Sequence, residues 1–231
     1  MSQITITLPD QSKRQFKQGV TPLDVARSIG PRLAKDTVAA SINGALKDVT
    51  APIMENVELT LHTGNSEEGH EVLLHSTAHL MAQAVKILYP NAKVTIGPAI
   101  ENRFYYDFDI DGTFSDEDLV KIENKMKELS NQDLLVSRRE LERDEAIKIF
   151  KEMDEDYKVE IIEQIESEDN ISAYGQGDFI DLCRGPHVPS TGKIKHFKLL
   201  STSGAYWRGD EKNKMLQRIY GTVFALSLIH I

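Results

Sequence analysis

Two pairs of residues in this chain have the types and the spacing to do chemistry. His75 and His79 stand four apart in a run whose apolar residues recur at helical intervals, so both imidazoles project from one helix face about one turn apart. Cys183 and His187 repeat that interval in the segment DLCRGPH, which reads as a loop. Together they offer three imidazoles and one thiol. Such a borderline-soft donor set suits tetrahedral zinc, or three ligands with one exchangeable position. The same four groups could instead orient a water: a neutral imidazole can accept its proton near pH 7, while a second histidine or a thiol hydrogen-bonds an ester. A histidine pair on an amphipathic helix, or a lone buried cysteine, is on its own more often a packing feature than a site. Two such pairs at metal-like spacing in one domain favour a site. The first pair reads HSTAH, without the glutamate that follows the first histidine in zinc peptidases and serves them as general base.

The elements that must position these residues are legible in part. His70 to Tyr89 carries Leu73, Leu74, Ala78, Met81, Val85 and Leu88 on one helical face and stops before Pro90-Asn91. Strand-like runs follow at Lys93 to Ile96 and Phe104 to Ile110. Asp111-Gly112 then turns the chain, Ser115 caps a helix through about Leu129, and a second acidic helix spans Glu142 to Met153. The remainder, rich in glycine, proline and aromatics, reads as short strands and loops. Upstream, Ile4 to Leu8 and Arg14 to Phe16 read as a hairpin turned at Pro9-Asp10. Thr21 caps a helix that starts at Pro22 and ends before Gly30, Val38 to Ile42 is a strand followed by an Asn43-Gly44 turn, and Val57 to Leu61 closes the set. That order is the order of a small β-grasp module. The polar stretch Gly64 to Gly69 has linker composition. The fold expected is therefore α+β: a β-grasp domain over residues 1–63, a linker over 64–69, and a mixed α+β domain over 70–224 with antiparallel sheet and a His-bearing helix.

Composition narrows the function class. The 231 residues are 40% hydrophobic and 27% charged, as expected of a globular protein with a real core. One cysteine excludes an internal disulfide. The start MSQITITLPD has neither the basic nor the apolar segment of a signal peptide, and no apolar run approaches the ~20 residues that span a bilayer, so a cytoplasmic protein without membrane association is expected. A net charge of −9 argues against a non-specific nucleic-acid coat. Bases nevertheless outnumber acids between Lys193 and Arg218, while Ser115 to Asn170 is acid-rich, so only the last third suits phosphate.

The strings HSTAHLMAQAV (His75 to Val85) and DLCRGPHVPSTG (Asp181 to Gly192) resemble the paired HxxxH and CxxxH motifs of the editing domain shared by threonyl- and alanyl-tRNA synthetases. IGPAIENRFYYDFD (Ile96 to Asp109) and GAYWRGDEKNKMLQRIYGT (Gly204 to Thr222) look like the threonyl branch, and the first module is similar to the TGS domain that precedes editing domains in bacterial members. The resemblance covers about residues 1–224. It implies a proofreading fragment that hydrolyses the ester of seryl-tRNA(Thr), with tRNA(Thr) as partner. The implied catalytic set is His75, Lys158, Asp181, Cys183 and His187, and the implied substrate-binding set is His79, Tyr105, Tyr106 and Arg184. In this reading His75 positions or deprotonates a water, Lys158 steadies the oxyanion, Asp181 anchors the seryl amino group, and Tyr105 and Tyr106 stack on the terminal adenosine. Alanyl relatives bind zinc through the residues corresponding to His75, His79, Cys183 and His187, whereas threonyl relatives are described with a water and no metal; the resemblance therefore implies editing that requires no cofactor, with zinc possible at those four residues. ATP, the catalytic zinc and the dimer interface belong to a catalytic domain beyond Phe224, so the fragment is expected to be a monomer and the full-length enzyme a homodimer. Residues 225–231, ending ALSLIHI, read as foreign to the family. Arg103 replaces the family glycine of ENGFYYDF, which raises the expectation of strain if that position needs positive φ. A free-standing trans-editing deacylase and a non-catalytic zinc or RNA-binding module remain the rival readings.

Overall fold

The computed structural model describes residues 2–166 and 170–225, arranged in two compact units. The first contains the chain up to Leu73 together with Gly185–Pro189 and, among the described residues, Phe224 and Ala225; the second contains Leu74–Arg184 and Ser190–Val223.

In the first unit, β1 (Gln3–Thr7) and β2 (Lys13–Lys17) form the expected hairpin, pairing Gln3 with Lys17 through Thr7 with Lys13. Helix α1 (Pro22–Ile29) starts where the sequence places it, because Thr21 and Asp24 make a capping box and proline occupies the first turn. A second short helix, α2 (Pro31–Asp36), follows directly and was not expected from the sequence. β3 (Thr37–Ile42) turns through Asn43 (φ 49°) and Gly44 (φ 81°) into β4 (Ala45–Lys47), the left-handed pair that an Asn-Gly hairpin requires. β5 (Val57–Thr63) pairs antiparallel with β3 and parallel with β1, which gives the order β2-β1-β5-β3-β4. Ile4, Ile6, Val25, Ala40, Val57 and Leu59 fill the core. This mixed sheet clasping one helix is the β-grasp arrangement.

Helix α3 (Glu67–Leu88) begins three residues before the expected His70, so its first turn takes in part of the predicted linker. The second unit then has two sheets. β6 (Lys93–Val94), β7 (Ala99–Ile100) and β8 (Arg103–Asp109) join β12 (His196–Tyr206) and β13 (Met215–Phe224) in the order β12-β13-β8-β6, with β7 paired to β8. β9 (Val136–Leu141), β10 (Ile171–Gln176) and β11 (Phe179–Leu182) form an antiparallel sheet in the order β11-β10-β9. α4 (Asp116–Gln132) is capped by Ser115 as read, and α5 (Arg143–Glu152) lies within the second predicted helix. The architecture is α+β in both units.

Three sequence expectations are corrected. α6 (Asp156–Glu163) is a helix inside the stretch read as strands and loops. Its β-branched residues and the absence of a side-chain cap hide it from propensity, and it forms because Val159 and Ile162 bury against Phe150, Ile171 and Ala173. β12 and β13, at 11 and 10 residues, are long strands rather than short ones. Arg103 has no positive φ; the left-handed residue of that turn is Glu101 (φ 47°), so the missing family glycine causes no strain at position 103. Of the tail expected to be foreign, only Ala225 falls within the described residues. Among those residues no helix is long and apolar enough to cross a membrane.

Candidate functional site

Six elements of the second unit, α3, β8, β9, α6, β10 and β11, converge on one cleft of about 830 Å³. Helical spacing on α3 sets the rings of His75 and His79 5.1 Å apart and nearly perpendicular, at 72°. On β11 the period-two alternation turns Phe179 and Asp181 inward, and Asp181 has no accessible surface. Cys183 follows directly. It is pinned to β10 by its own N–H, which donates to the Ser172 carbonyl at 3.1 Å, and by the Ser172 hydroxyl, which donates to the Cys183 carbonyl at 2.6 Å. β8 contributes Tyr106 and α6 contributes Lys158, both buried.

The Asp181 carboxylate is the hub. Its Oδ1 meets the Lys158 ammonium at 2.5 Å, and its Oδ2 accepts the Tyr106 hydroxyl at 2.6 Å and faces His79 Nδ1 at 3.1 Å. Lys158 also donates to the Tyr106 oxygen at 2.9 Å, while its contact with Asp181 Oδ1 is a close ion pair without hydrogen-bond alignment. A buried carboxylate needs such a shell, because an isolated charge there would cost several kcal/mol (order of magnitude). Above it the Cys183 sulfur lies 3.2 Å from His75 Nε2. Burial pulls His75 down to about 4, against a smaller opposing pull from Asp181. Burial, helped by His75 and Lys158, holds His79 well below the usual imidazole range. Both rings are therefore neutral at pH 7. Burial first, then Asp181, push the Tyr106 hydroxyl well above its ordinary value, which keeps it a donor. Underneath, the Gln176 side chain donates to Gln83 Oε1 at 2.9 Å and to the His79 carbonyl at 3.2 Å, and Gln83 donates to the Gln176 carbonyl at 3.0 Å. This amide clasp ties β10 to the helix that carries both histidines.

Of the residues singled out by sequence, His75, His79, Tyr106, Lys158, Cys183 and Arg184 line the cleft, with Arg184 exposed, and Asp181 lies buried directly beneath them. His187 is buried, and its N–H donates to the Asp48 carboxylate at 2.8 Å. Within the second unit, His75, His79 and Cys183 bring two imidazoles and a thiol together, their ligand atoms within 4.8 Å of one another, as a metal ion would need. The donor types fit zinc, and the Asp181 carboxylate on His79 Nδ1 is the partner that fixes a ligand histidine with its other nitrogen outward. Tyr105 is not in the cleft. Strand alternation turns it to the opposite face of β8, where the Arg218 guanidinium sits 3.7 Å from its ring centre while also holding Asp107 with two bonds of 2.6 and 2.8 Å. Tyr106 has only its hydroxyl in a polar network. Its ring is stacked on Phe108 at 5.2 Å and fully buried, so it forms part of the floor.

Sequence reasoning missed Thr95, Gly97, Arg138, Asn170 and Ser172, which also line the cleft. Gly97 alone had a readable signal, since a glycine beside a proline marks a place where another group comes close. A Cβ there would lie 2.1 Å from the Tyr106 ring.

With this geometry in view, the similarities are informative. Residues 4–63 match the TGS domain, and residues 171–220 match the threonyl and alanyl tRNA synthetase second additional domain. The class is thus a TGS unit followed by a second-additional-domain unit. The chain is 59% identical over 220 residues, 95% of its length, to the threonine–tRNA ligase of Teredinibacter turnerae, and 59% identical over 219 residues to that of Hahella chejuensis. It is 53% identical over 224 residues to that of Staphylococcus aureus. It spans about a third, 34%, of the length of these relatives. Over 95% of its length the chain is thus similar to part of these threonine–tRNA ligases, and it carries the two domain matches.

Proposed function

We propose that the chain is the editing part of a threonyl-tRNA synthetase and hydrolyses the ester of seryl-tRNA(Thr). The observation that carries this reading is the buried Asp181–Lys158–Tyr106 network beneath two neutral histidines and a thiol in a cleft large enough for an aminoacyl-adenosine. Its chemical need is plain. Serine lacks one methyl of threonine, and a missing methylene gives only about 1–3 kcal/mol of discrimination, so a second, smaller sieve is required.

In this mechanism His75 orients the attacking water. An imidazole held at about 4 is a weak base, so it accepts a hydrogen bond and takes the proton only as the water attacks, rather than forming hydroxide beforehand. Lys158, whose one directed hydrogen bond goes to the Tyr106 oxygen, can turn an N–H towards the developing oxyanion, and burial keeps that contact strong. Asp181 fixes the Lys158 ammonium and the His79 ring; a seryl amino group would have to displace one of its three partners to reach it. Cys183 hydrogen-bonds His75 and shapes the pocket, with no acyl-enzyme required for an activated ester. Arg184, which lines the cleft, is assigned to the 3′ end of the tRNA. Held by His75, His79 and Cys183, zinc would supply Lewis-acid polarisation, and the chelator arm of the test below separates that case from the water mechanism.

The test is hydrolysis of Ser-tRNA(Thr) against Thr-tRNA(Thr) by the purified chain, with and without chelator, beside His75→Ala. Selective seryl hydrolysis that resists chelator and falls 10²–10⁴-fold (order of magnitude) in the variant is expected. Stoichiometric zinc with no hydrolysis would replace this reading with that of a zinc-binding RNA module. We further propose a cytoplasmic monomer for the fragment, and a dimer mass in light scattering would count against it.

A further inference from the structure

Glu155 is a charged group sealed inside the second unit that the proposed reaction does not use. It stands at the N-cap of α6, yet its side chain does not cap the helix, and it is 1% exposed. Its Oε2 accepts the N–H of Val94 at 2.8 Å, and its Oε1 meets the Lys86 ammonium at 2.7 Å and no further donor. Lys86, in the last turn of α3, also donates to the carbonyls of Ala92 at 2.8 Å and Pro90 at 3.3 Å. One carboxylate thus ties together α3, β6 and α6.

Each of those three elements runs into the cleft. α3 carries His75 and His79, the chain after β6 carries Thr95 to Pro98, and α6 carries Lys158. The path from Glu155 to Lys158 is short and stiff: the Glu155 carbonyl accepts the Lys158 N–H at 3.0 Å and the Val159 N–H at 3.2 Å. Lys158 in turn holds Asp181 and Tyr106 at 2.5 and 2.9 Å, and a movement of α6 that lengthened these contacts by about 1 Å would break the hydrogen bond to Tyr106 and loosen the ion pair with Asp181. Well-packed apolar residues could replace a buried ion pair without loss of stability, so stability alone does not call for a charge in this place.

We propose that Glu155 is a positioning residue for ester hydrolysis: held by Lys86 and the Val94 amide, it sets where α6 begins and so where the Lys158 ammonium meets the reacting ester. The inference rests on the reading of the cleft as the hydrolytic site. Its test uses the 231-residue chain, Ser-tRNA(Thr) as substrate, circular dichroism to confirm folding, and the variants Glu155→Gln, Lys86→Gln and Lys158→Met. Glu155→Gln and Lys86→Gln should each lower kcat by about 10- to 100-fold, the scale of a small misplacement, with KM changed by no more than about twofold. On the Lys158→Met background, Glu155→Gln should remove nothing more from the rate in excess of spontaneous hydrolysis. If the unsubstituted chain fails to hydrolyse the ester, the hydrolytic reading itself falls and takes this inference with it. If the unsubstituted chain is active and a folded Glu155→Gln keeps its kcat, or loses the same factor with Lys158 already removed, the inference alone is overturned. Should Glu155→Gln not fold, Lys86→Gln breaks the same tie from the less buried side and decides by the same kcat and KM criterion.

Discussion

Replacing Lys158 by methionine keeps the aliphatic stem and removes the ammonium, leaving Asp181 with its charge, no accessible surface, and only the Tyr106 hydroxyl and His79 as partners. At the observed 2.5 Å the pair's gross attraction is about 6–7 kcal/mol for an effective dielectric near 20, most of which offsets the cost of burying both charges. What the substitution exposes is that burial cost, so the folded state should lose about 3–5 kcal/mol. Asp181→Asn alone should cost a similar amount by stranding Lys158. The double variant should recover much of the loss, because neither charge is then left without its partner. Urea denaturation followed by near-ultraviolet circular dichroism reads all three, the signal from Tyr106 and its neighbours reporting on the second unit. Losses that simply add in the double variant, or a Lys158→Met variant within about 1 kcal/mol of the parent, would refute the argument that this pair is held by mutual compensation.

Three other outcomes follow from the same coordinates. Because burial lowers His75 to about 4, the unfolded chain, with its ordinary value of about 6.5, takes up the proton first; the contribution is fully present above about pH 6.5 and is lost as pH falls towards 4, by roughly 3 kcal/mol, and His75→Gln should flatten that part of the stability–pH curve. Gly97→Ala places a methyl 2.1 Å from the Tyr106 ring, so it should destabilise the second unit by about 1–3 kcal/mol or more and lower hydrolysis, and an unchanged melting temperature would show that the chain around Gly97 yields freely. Ser115→Ala removes the side-chain acceptor of the Asp118 N–H at 3.2 Å, and should cost about 1 kcal/mol in urea denaturation while leaving hydrolysis untouched.

Local physics made much of this protein readable from its residues alone. Capping boxes at Thr21 and Ser115, the Asn43-Gly44 turn and the apolar stripe after His70 each depend on neighbours within a few positions, so the β-grasp order and the helix bearing the histidines could be read directly. The i,i+4 histidines met because helix geometry makes them meet. Lys158 and Asp181 carried no such mark. They pair with each other and reach Tyr106 across separations of 52 and 75 residues, by packing of α6, β8 and β11 that no periodicity encodes, and only the family resemblance singled them out beforehand. The same holds for α6 itself, whose β-branched residues and uncapped start leave it unmarked in sequence until burial of Val159 and Ile162 makes a helix the better solution. Tyr105 and Tyr106 are adjacent in sequence and alike in type, yet strand alternation sends one beneath the Arg218 guanidinium and the other into the floor of the cleft. The sequence by itself therefore determined which groups could do chemistry and which short elements would carry them, since those depend on bond geometry and near neighbours. Only the tertiary structure decided which of those groups share a buried charge network and which histidines are stripped of their protons, since burial and long-range pairing belong to the folded whole.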